Sequence, residues 1–227
     1  LFLDPVWNDA NLDIWVLNSL YDTLLHSTND GQGVMPALAT DVSFSEDGLI
    51  ATVTLRDGIK FSDGSPITPE DVVFSLDRAR NPEHGIWSFS LESIASIEPS
   101  GDNQVIINLA RVDPTLQAAL AMFNSAILPK ALYEAMPGET DSDKAEAFAA
   151  SPVGSGPFTL KEWARGEYML LERNPNYWMT DDAGVQLPYL DAVRFEIIPE
   201  DATRILKLQA GEIDAAEFIP LSRVAEL

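Results

Sequence analysis

Leu55-Arg-Asp-Gly-Ile-Lys-Phe-Ser-Asp-Gly-Ser-Pro-Ile-Thr-Pro-Glu-Asp-Val-Val-Phe-Ser-Leu-Asp-Arg78 holds a strand end, two Asp-Gly turns and a helix start in one run. Ile50-Ala-Thr-Val-Thr-Leu55 is rich in β-branched residues and reads as a hairpin strand closed by Asp57-Gly58. Ile59-Lys-Phe61 reads as a second short strand, turned by Asp63-Gly64. Thr68 stands at an N-cap, Pro69 at the first helical position, and Asp71 three residues after the cap. That spacing lets side chain and backbone satisfy each other's orphan amides at a helix start. Val72, Val73 and Leu76 give the helix an apolar stripe, and Asn81-Pro82 predicts its end.

Outward from this run, the N-terminal side predicts a helix over Leu12–Leu25, with Leu17, Leu20, Tyr21, Leu24 and Leu25 on one face and Asp9 or Asn11 as cap. Val42–Ser45 and Leu49–Leu55 flank Glu46-Asp-Gly48 as a hairpin. On the other side, Ile94–Ile97 and Val105–Leu109 bracket another turn at Ser100–Asn103. Asp113-Pro114 predicts a helix running through Leu120, Leu128-Pro-Lys130 a short one, and Ser142–Ala150 a third. Ser151-Pro-Val-Gly-Ser-Gly-Pro157 concentrates breakers and is the expected crossing between lobes. Phe158–Trp163 and Tyr168–Arg173 form a ribbon around Arg165-Gly166, ended by Asn174-Pro175 and Tyr177-Trp178. Leu190–Ile198 reads as a strand, Asp201 as the cap of a helix reaching Gly211, Ile213–Phe218 as a last strand, and Leu221–Leu227 as a new helix. Hairpins first and β-α-β segments later argue a mixed α/β (α+β) fold with antiparallel early strands.

Composition narrows the function. Aspartate and glutamate number 36 against 14 lysine and arginine, a formal charge of −22. Such a surface repels phosphates, so nucleic acid is excluded as a partner. Without cysteine there are no thiol nucleophiles, disulfides or thiolate metal sites. No apolar run is long enough to span a bilayer, and no basic segment followed by an apolar core opens the chain, so no signal peptide is expected within it. His26 and His84 are the only histidines, and neither stands in a nucleophile-elbow or zinc motif. Asp181-Asp182 and Asp141-x-Asp143 lack the spacing of a calcium loop. No catalytic residue, metal or cofactor is expected, and paired carboxylates in so acidic a chain carry no information about a glycosidase.

Several segments together resemble one family. They are Leu3-Asp-Pro5, Asn18–Leu25, Met35-Pro-Ala-Leu-Ala39, the opening run, Leu128-Pro-Lys130, Val153-Gly-Ser-Gly-Pro-Phe158, Leu171-Glu-Arg-Asn-Pro-Asn-Tyr-Trp178 and Leu208-Gln-Ala-Gly-Glu-Ile-Asp214. In this order they resemble the family 5 extracellular solute-binding proteins of ABC importers, the dipeptide- and oligopeptide-binding type. Members are considerably longer, so the resemblance implies the N-terminal portion of a periplasmic binding protein-like II fold with an extra subdomain, the second lobe lying outside this chain. It implies that residues 1–25 with 151–220 belong to the main lobe, 26–150 to the accessory subdomain, and 221–227 to the start of the crossing. It further implies a monomer, periplasmic or on the cell surface, that captures a peptide or similar small solute and delivers it to a membrane permease. Isolated from its second lobe, the chain is expected to bind ligand weakly or not at all. A hydrolase of peptides or esters, or an adhesion module with a vestigial cleft, are the alternatives.

Candidate ligand-binding residues are few. Trp7, Asn8 and Asp9 follow the place where a first strand ends, and ligands of α/β sheets sit beyond carboxyl ends of strands. Asp9 suits a cationic amine, or a helix cap. Phe74 falls where the resemblance places an aromatic toward ligand, and Phe218 where it places the crossing; core packing accounts for either. Trp87 and Phe89, beside Gly85, are read as an aromatic lip or as surface packing. Gly154, Gly156 and Pro157 precede a strand, which argues for backbone geometry and against a phosphate cradle.

Overall fold

The predicted first helix is shorter than its apolar pattern. In the computed structural model, which describes residues 2–226, a 3-10 turn at Asn11–Asp13 runs into α1, Ile14–Leu20. Tyr21 is already extended, at φ −122° and ψ 154°. A continuing helix would give the Leu20 carbonyl to Leu24, but Gly156 N–H donates to it at 3.0 Å. Asp22 N–H donates to Ser155 Oγ at 3.2 Å. The breaker-rich loop thus occupies the path of the next turn. Leu24 and Leu25 stay buried in extended chain, which becomes β1 (Leu25–Ser27), paired antiparallel with β2 (Val34–Pro36). Neither Asp9 nor Asn11 caps; Ala10 and Asp13 hold the cap positions, without side-chain hydrogen bonds to the helix amides.

The opening run folds largely as read. β3 (Ala39–Phe44) and β4 (Ile50–Leu55) form a hairpin whose Gly48 takes φ +69°. Ile59–Phe61 makes only an isolated bridge, Lys60 to Pro66, because Gly58 and Gly64 turn the chain before a ladder can extend. α2 (Pro69–Ala79) carries the full capping box: Asp71 N–H donates to Thr68 Oγ1, and Thr68 N–H to the Asp71 carboxylate at 2.9 Å. Thr68→Ala is expected to lower stability by about 1 kcal/mol, read as a shift in urea midpoint without a change in slope. β5 (Ile94–Ser100) and β6 (Gln104–Leu109) complete a four-stranded antiparallel sheet of order β3-β4-β6-β5. Its inward residues, including Val53, Leu55, Val105 and Ile107, pack with Val72 and Leu76 of α2 into one core.

After it come α3 (Leu116–Ala119), α4 (Lys130–Glu134) and α5 (Asp141–Ala150). α3 starts later than predicted because the Asp113 carboxylate holds Thr115 N–H and Ser93 in a turn. β7 (Phe158–Ala164), β8 (Tyr168–Arg173) and β9 (Ala192–Glu196) form an antiparallel three-stranded sheet. α6 (Asp201–Gln209) follows, with Glu200 at the cap position and Asp201 already helical, paired with Arg204. The strand predicted at Ile213–Phe218 is absent, since no neighbouring strand among the described residues offers it a ladder, and Leu221–Glu226 is a 3-10 helix. No described strand pair is parallel, so the later β-α-β reading gives way to an antiparallel sheet followed by a helix. A second core joins Leu17 and Leu20 of α1, Tyr133, Phe148 of α5, and Met169 and Leu171 of β8.

Two motifs of the sequence meet at one buried residue, Asp22. Asn174 donates through its side chain to Gly156 O at 2.8 Å, and Trp178 Nε1 donates to Asp22 Oδ2 at 2.7 Å. Arg56 lies 4.3 Å over the Trp178 ring. His26 pairs with the other Asp22 oxygen. Burial disfavours the imidazolium, but the hydrogen bond and charge of Asp22 prevail and raise its pKa above the ordinary 6.5. A raised folded-state value makes the contribution present below about pH 6.5 and lost as pH rises through the folded value. Urea midpoints are therefore expected to fall as pH rises above about 6.5, with that pH dependence flattened in His26→Gln. An unchanged pH dependence in the variant would refute the assignment.

Candidate ligand-facing surface

The loop at residues 4–9 is set by a buried carboxylate. Asp4 Oδ1 accepts from Val6 N–H and Trp7 N–H, both at 2.9 Å, and Asn8 N–H donates to Asp4 O at 3.1 Å. Asp4 is fully buried, so its charge requires a partner. Arg78 of α2 supplies it: Nη2 donates to Oδ1 at 3.1 Å, and Nη1 lies 3.0 Å from Oδ2 as an ion pair that lacks hydrogen-bond alignment. Arg78 also reaches Asp141, with Nε 2.9 Å from both carboxylate oxygens. Burial works against the guanidinium charge, but Asp4, then Asp141, raise its pKa. Burial likewise opposes ionisation of Asp141, yet Arg78 and Trp7 hold its pKa below the ordinary carboxylate value. Trp7 Nε1 donates to Asp141 Oδ2 at 2.7 Å.

A second loop packs against the first. Gly85 approaches so closely that a Cβ there would lie 2.0 Å from Val6 O. Trp87 Nε1 donates to Asn8 O at 3.0 Å, and its ring meets Phe123 edge-on at 5.5 Å. Asn124 ties this loop down through Ser90 Oγ at 3.1 Å. With the polar groups turned inward, Ile86 and Phe89 are left 63% and 62% exposed. Leu12 and Trp15, on the outward side of the first helical segment, are similarly exposed, and Trp15 Nε1 donates to Glu217 Oε1 at 2.9 Å. Phe218, next along, is 61% exposed and takes φ +54°, its carbonyl held by Arg204 Nη2 at 3.1 Å.

The structure places the predicted site residues in three settings. Trp7, Asn8 and Asp9 share one loop; Trp7 is half-buried, Asn8 buried with its amide donating to Asp13 at 3.0 Å, and Asp9 exposed. Phe74 lies apart, half-buried against Tyr133 at 5.4 Å. It lines a separate groove of about 510 Å³ together with Arg78, His84 and Asp141. The groove meets Trp7 through Asp141, which accepts from Trp7 Nε1, and through His84, whose ring lies 5.9 Å from the Trp7 ring. Phe218 sits beside the Trp15–Glu217 contact instead. Sequence reading missed Leu12, Trp15 and Ile86. Trp15 carries the one available signal, an aromatic lying off the apolar stripe of its helix. His26 is engaged by Asp22, and His84 by Asn81 and the Arg78 carbonyl. Among the described residues no cluster of potential ligands suits a metal ion.

The family model of bacterial extracellular solute-binding proteins, family 5, middle region, matches residues 33–227. The chain belongs to this family. It is 34% identical over 208 residues to the oligopeptide-binding protein AppA of Bacillus subtilis, covering 91% of this chain and 36% of AppA. It is 30% identical over 226 residues to the glutathione-binding protein GsiB of Salmonella typhimurium, covering 99% of this chain and 41% of GsiB. Among solved structures, AgaA of A. tumefaciens in complex with agropinic acid superposes with a TM-score of 0.85 at 29% identity, over 99% of this chain and 43% of that one. The family 5 chain thus has the periplasmic binding protein type II fold, and spans about 40% of the length of these relatives.

Proposed function

We propose that this chain is part of the substrate-binding component of an ABC importer, which encloses a peptide or similar small solute between two lobes and hands it to a membrane permease. The observation that carries the reading is the set of apolar side chains left exposed, Leu12 and Trp15 on the first helical segment and Ile86 and Phe89 on the second loop, together with the exposed Asp9 of the first loop, while Trp87 Nε1 ties the second loop to Asn8 O and Asp4 fixes the turn of the first. A preorganised apolar and aromatic surface with few polar groups suits enclosure of a small ligand. Covalent turnover needs an activated nucleophile, and both histidines are committed to other contacts. In this reading residues 1–25 and 151–220 contribute to the main lobe, 26–150 form the accessory subdomain, and 221–227 begin the crossing. Trp7, Asn8 and Asp9 line the cleft, with Phe218 at its margin, while Phe74 faces the separate groove beside Arg78 and Asp141. The protein acts as a monomer in the periplasm or at the cell surface, as a binder and not an enzyme.

Peptide is the favoured ligand because AppA and GsiB bind peptides by name. An opine-like solute is the second reading, favoured by the superposition on AgaA with agropinic acid. Mass spectrometry of small molecules released from purified full-length protein separates them. Short peptides are expected; a sugar-derived amino acid conjugate would favour the second reading. Release of cleavage products from a supplied peptide, in place of unmodified ligand, would overturn both.

A further inference from the structure

The Trp7 side chain and the backbone of its loop are held by one connected set of charges that reaches across the molecule to α5. Asp141 is the first residue of that helix, where the exposed backbone amides favour a carboxylate. Its own backbone is fixed from several sides. The capping box of Thr140 and Asp143 defines the helix start, and Tyr133 OH donates to Asp141 O at 3.1 Å. Gly138, at φ +134°, brings the preceding turn so near that a Cβ would lie 2.3 Å from Asp143 Cβ. The carboxylate on this fixed post accepts from Arg78 and from Trp7 Nε1 at 2.7 Å. Arg78 then pairs with Asp4, whose Oδ1 shapes the turn at Val6 and Trp7.

We infer that Asp141 and Arg78 are positioning residues for the ligand-facing loop: without touching ligand, they fix the Trp7 indole and the presentation of Asp9. This inference rests on the proposed function for the word ligand, but its geometry does not. Asp141 lies 134 residues from Trp7 in sequence, so α5 and the loop are coupled only by folding. A charge partner for Arg78 alone would need only Asp4; the Trp7 contact is what ties the guanidinium to the aromatic beside the exposed carboxylate. Asn at position 141 keeps an acceptor for the indole, whereas Ala removes it.

Full-length protein labelled with fluorotryptophan tests this by fluorine NMR, with the Trp7 resonance assigned from Trp7→Phe. Asp141→Ala is expected to shift or broaden that resonance while leaving the Trp163 resonance in place, and Asp141→Asn to restore it substantially. A Trp7 resonance unmoved in Asp141→Ala would overturn the inference. Titration with a mixed-sequence nonapeptide pool is the second readout. There Asp141→Ala is expected to weaken binding about tenfold or more, with Asp141→Asn close to wild type, the scale usual for partners of ligand-contacting groups. Thr68→Ala controls for lost stability and should leave affinity unchanged. If Trp15→Ala and Phe89→Ala weaken nonapeptide binding but Asp141→Ala does not, positioning toward ligand is refuted while the cleft reading stands. If the pool does not bind wild type, or those two variants leave binding unchanged, the peptide-cleft reading fails, and the Trp7 resonance alone decides the geometric claim.

Discussion

Arg78→Met is expected to destabilise the protein by about 3–5 kcal/mol, the range for removing one partner of a buried ion pair. The reason is Asp4, not Arg78. Asp4 is fully buried, and among the described residues its carboxylate oxygens pair with the Arg78 guanidinium and the amides of Val6 and Trp7. Methionine fills much of the arginine stem's volume, so packing loss is limited and the uncompensated charge dominates. Adding Asp4→Asn removes that charge while keeping an acceptor for the two amides. The double variant is therefore expected to recover a substantial part of the loss, which a double-mutant cycle in urea measures. Additive losses would refute the pairing. Acid sensitivity should change too. Asp141 has a folded-state pKa held below 3.8, chiefly by Arg78 against the effect of burial. Its contribution is present above about pH 4 and lost as pH falls through the folded value, so stability is expected to drop below about pH 4 in wild type and less steeply in Arg78→Met.

Gly154→Ala is expected to be as damaging, at about 3 kcal/mol or more, the upper end for overpacking. The added methyl would lie 2.0 Å from Leu20 O and 2.8 Å from Tyr21 Cδ1. Neither neighbour yields easily. The Leu20 carbonyl is bonded to Gly156 N–H, and Tyr21 is buried with its hydroxyl donating to Leu3 O at 2.7 Å. Displacing the loop would also disturb Ser155 at Asp22 and the Ser62 N–H that donates to Gly154 O at 2.8 Å. Gly33→Ala is the control, because beyond its own chain neighbours no atom lies within 4 Å of the added methyl. It should change the thermal midpoint little. Equal midpoints for the two variants would refute the steric account.

Much of the four-stranded sheet was legible because its signals are local. The capping box at Thr68 and the glycine turns at Gly48 and Gly101 act over a few residues, so residue type and spacing fix the outcome. Longer-range choices were not legible. Leu24 and Leu25 fit a helix stripe as well as an extended run, and the helix lost only because Gly156 takes the Leu20 carbonyl. Ile213–Phe218 has strand-favouring residues only at its two ends, and no neighbour among the described residues completes a ladder with it.

The candidate site divides the same way. The sequence alone determined the family, through ordered motifs whose turns and caps are local, and it drew attention to Trp7, Asn8, Asp9 and the Trp87–Phe89 loop. It also supplied the glycines without saying what they approach. Only the tertiary structure decided that Gly85 lets the two loops touch, that Phe74 faces a different groove, and that Asp141 holds Trp7. Local patterns record the conformation of neighbours along the chain. Close approach, burial of charge and the pairing of Asp4 with Arg78 depend on residues brought together only when the chain packs.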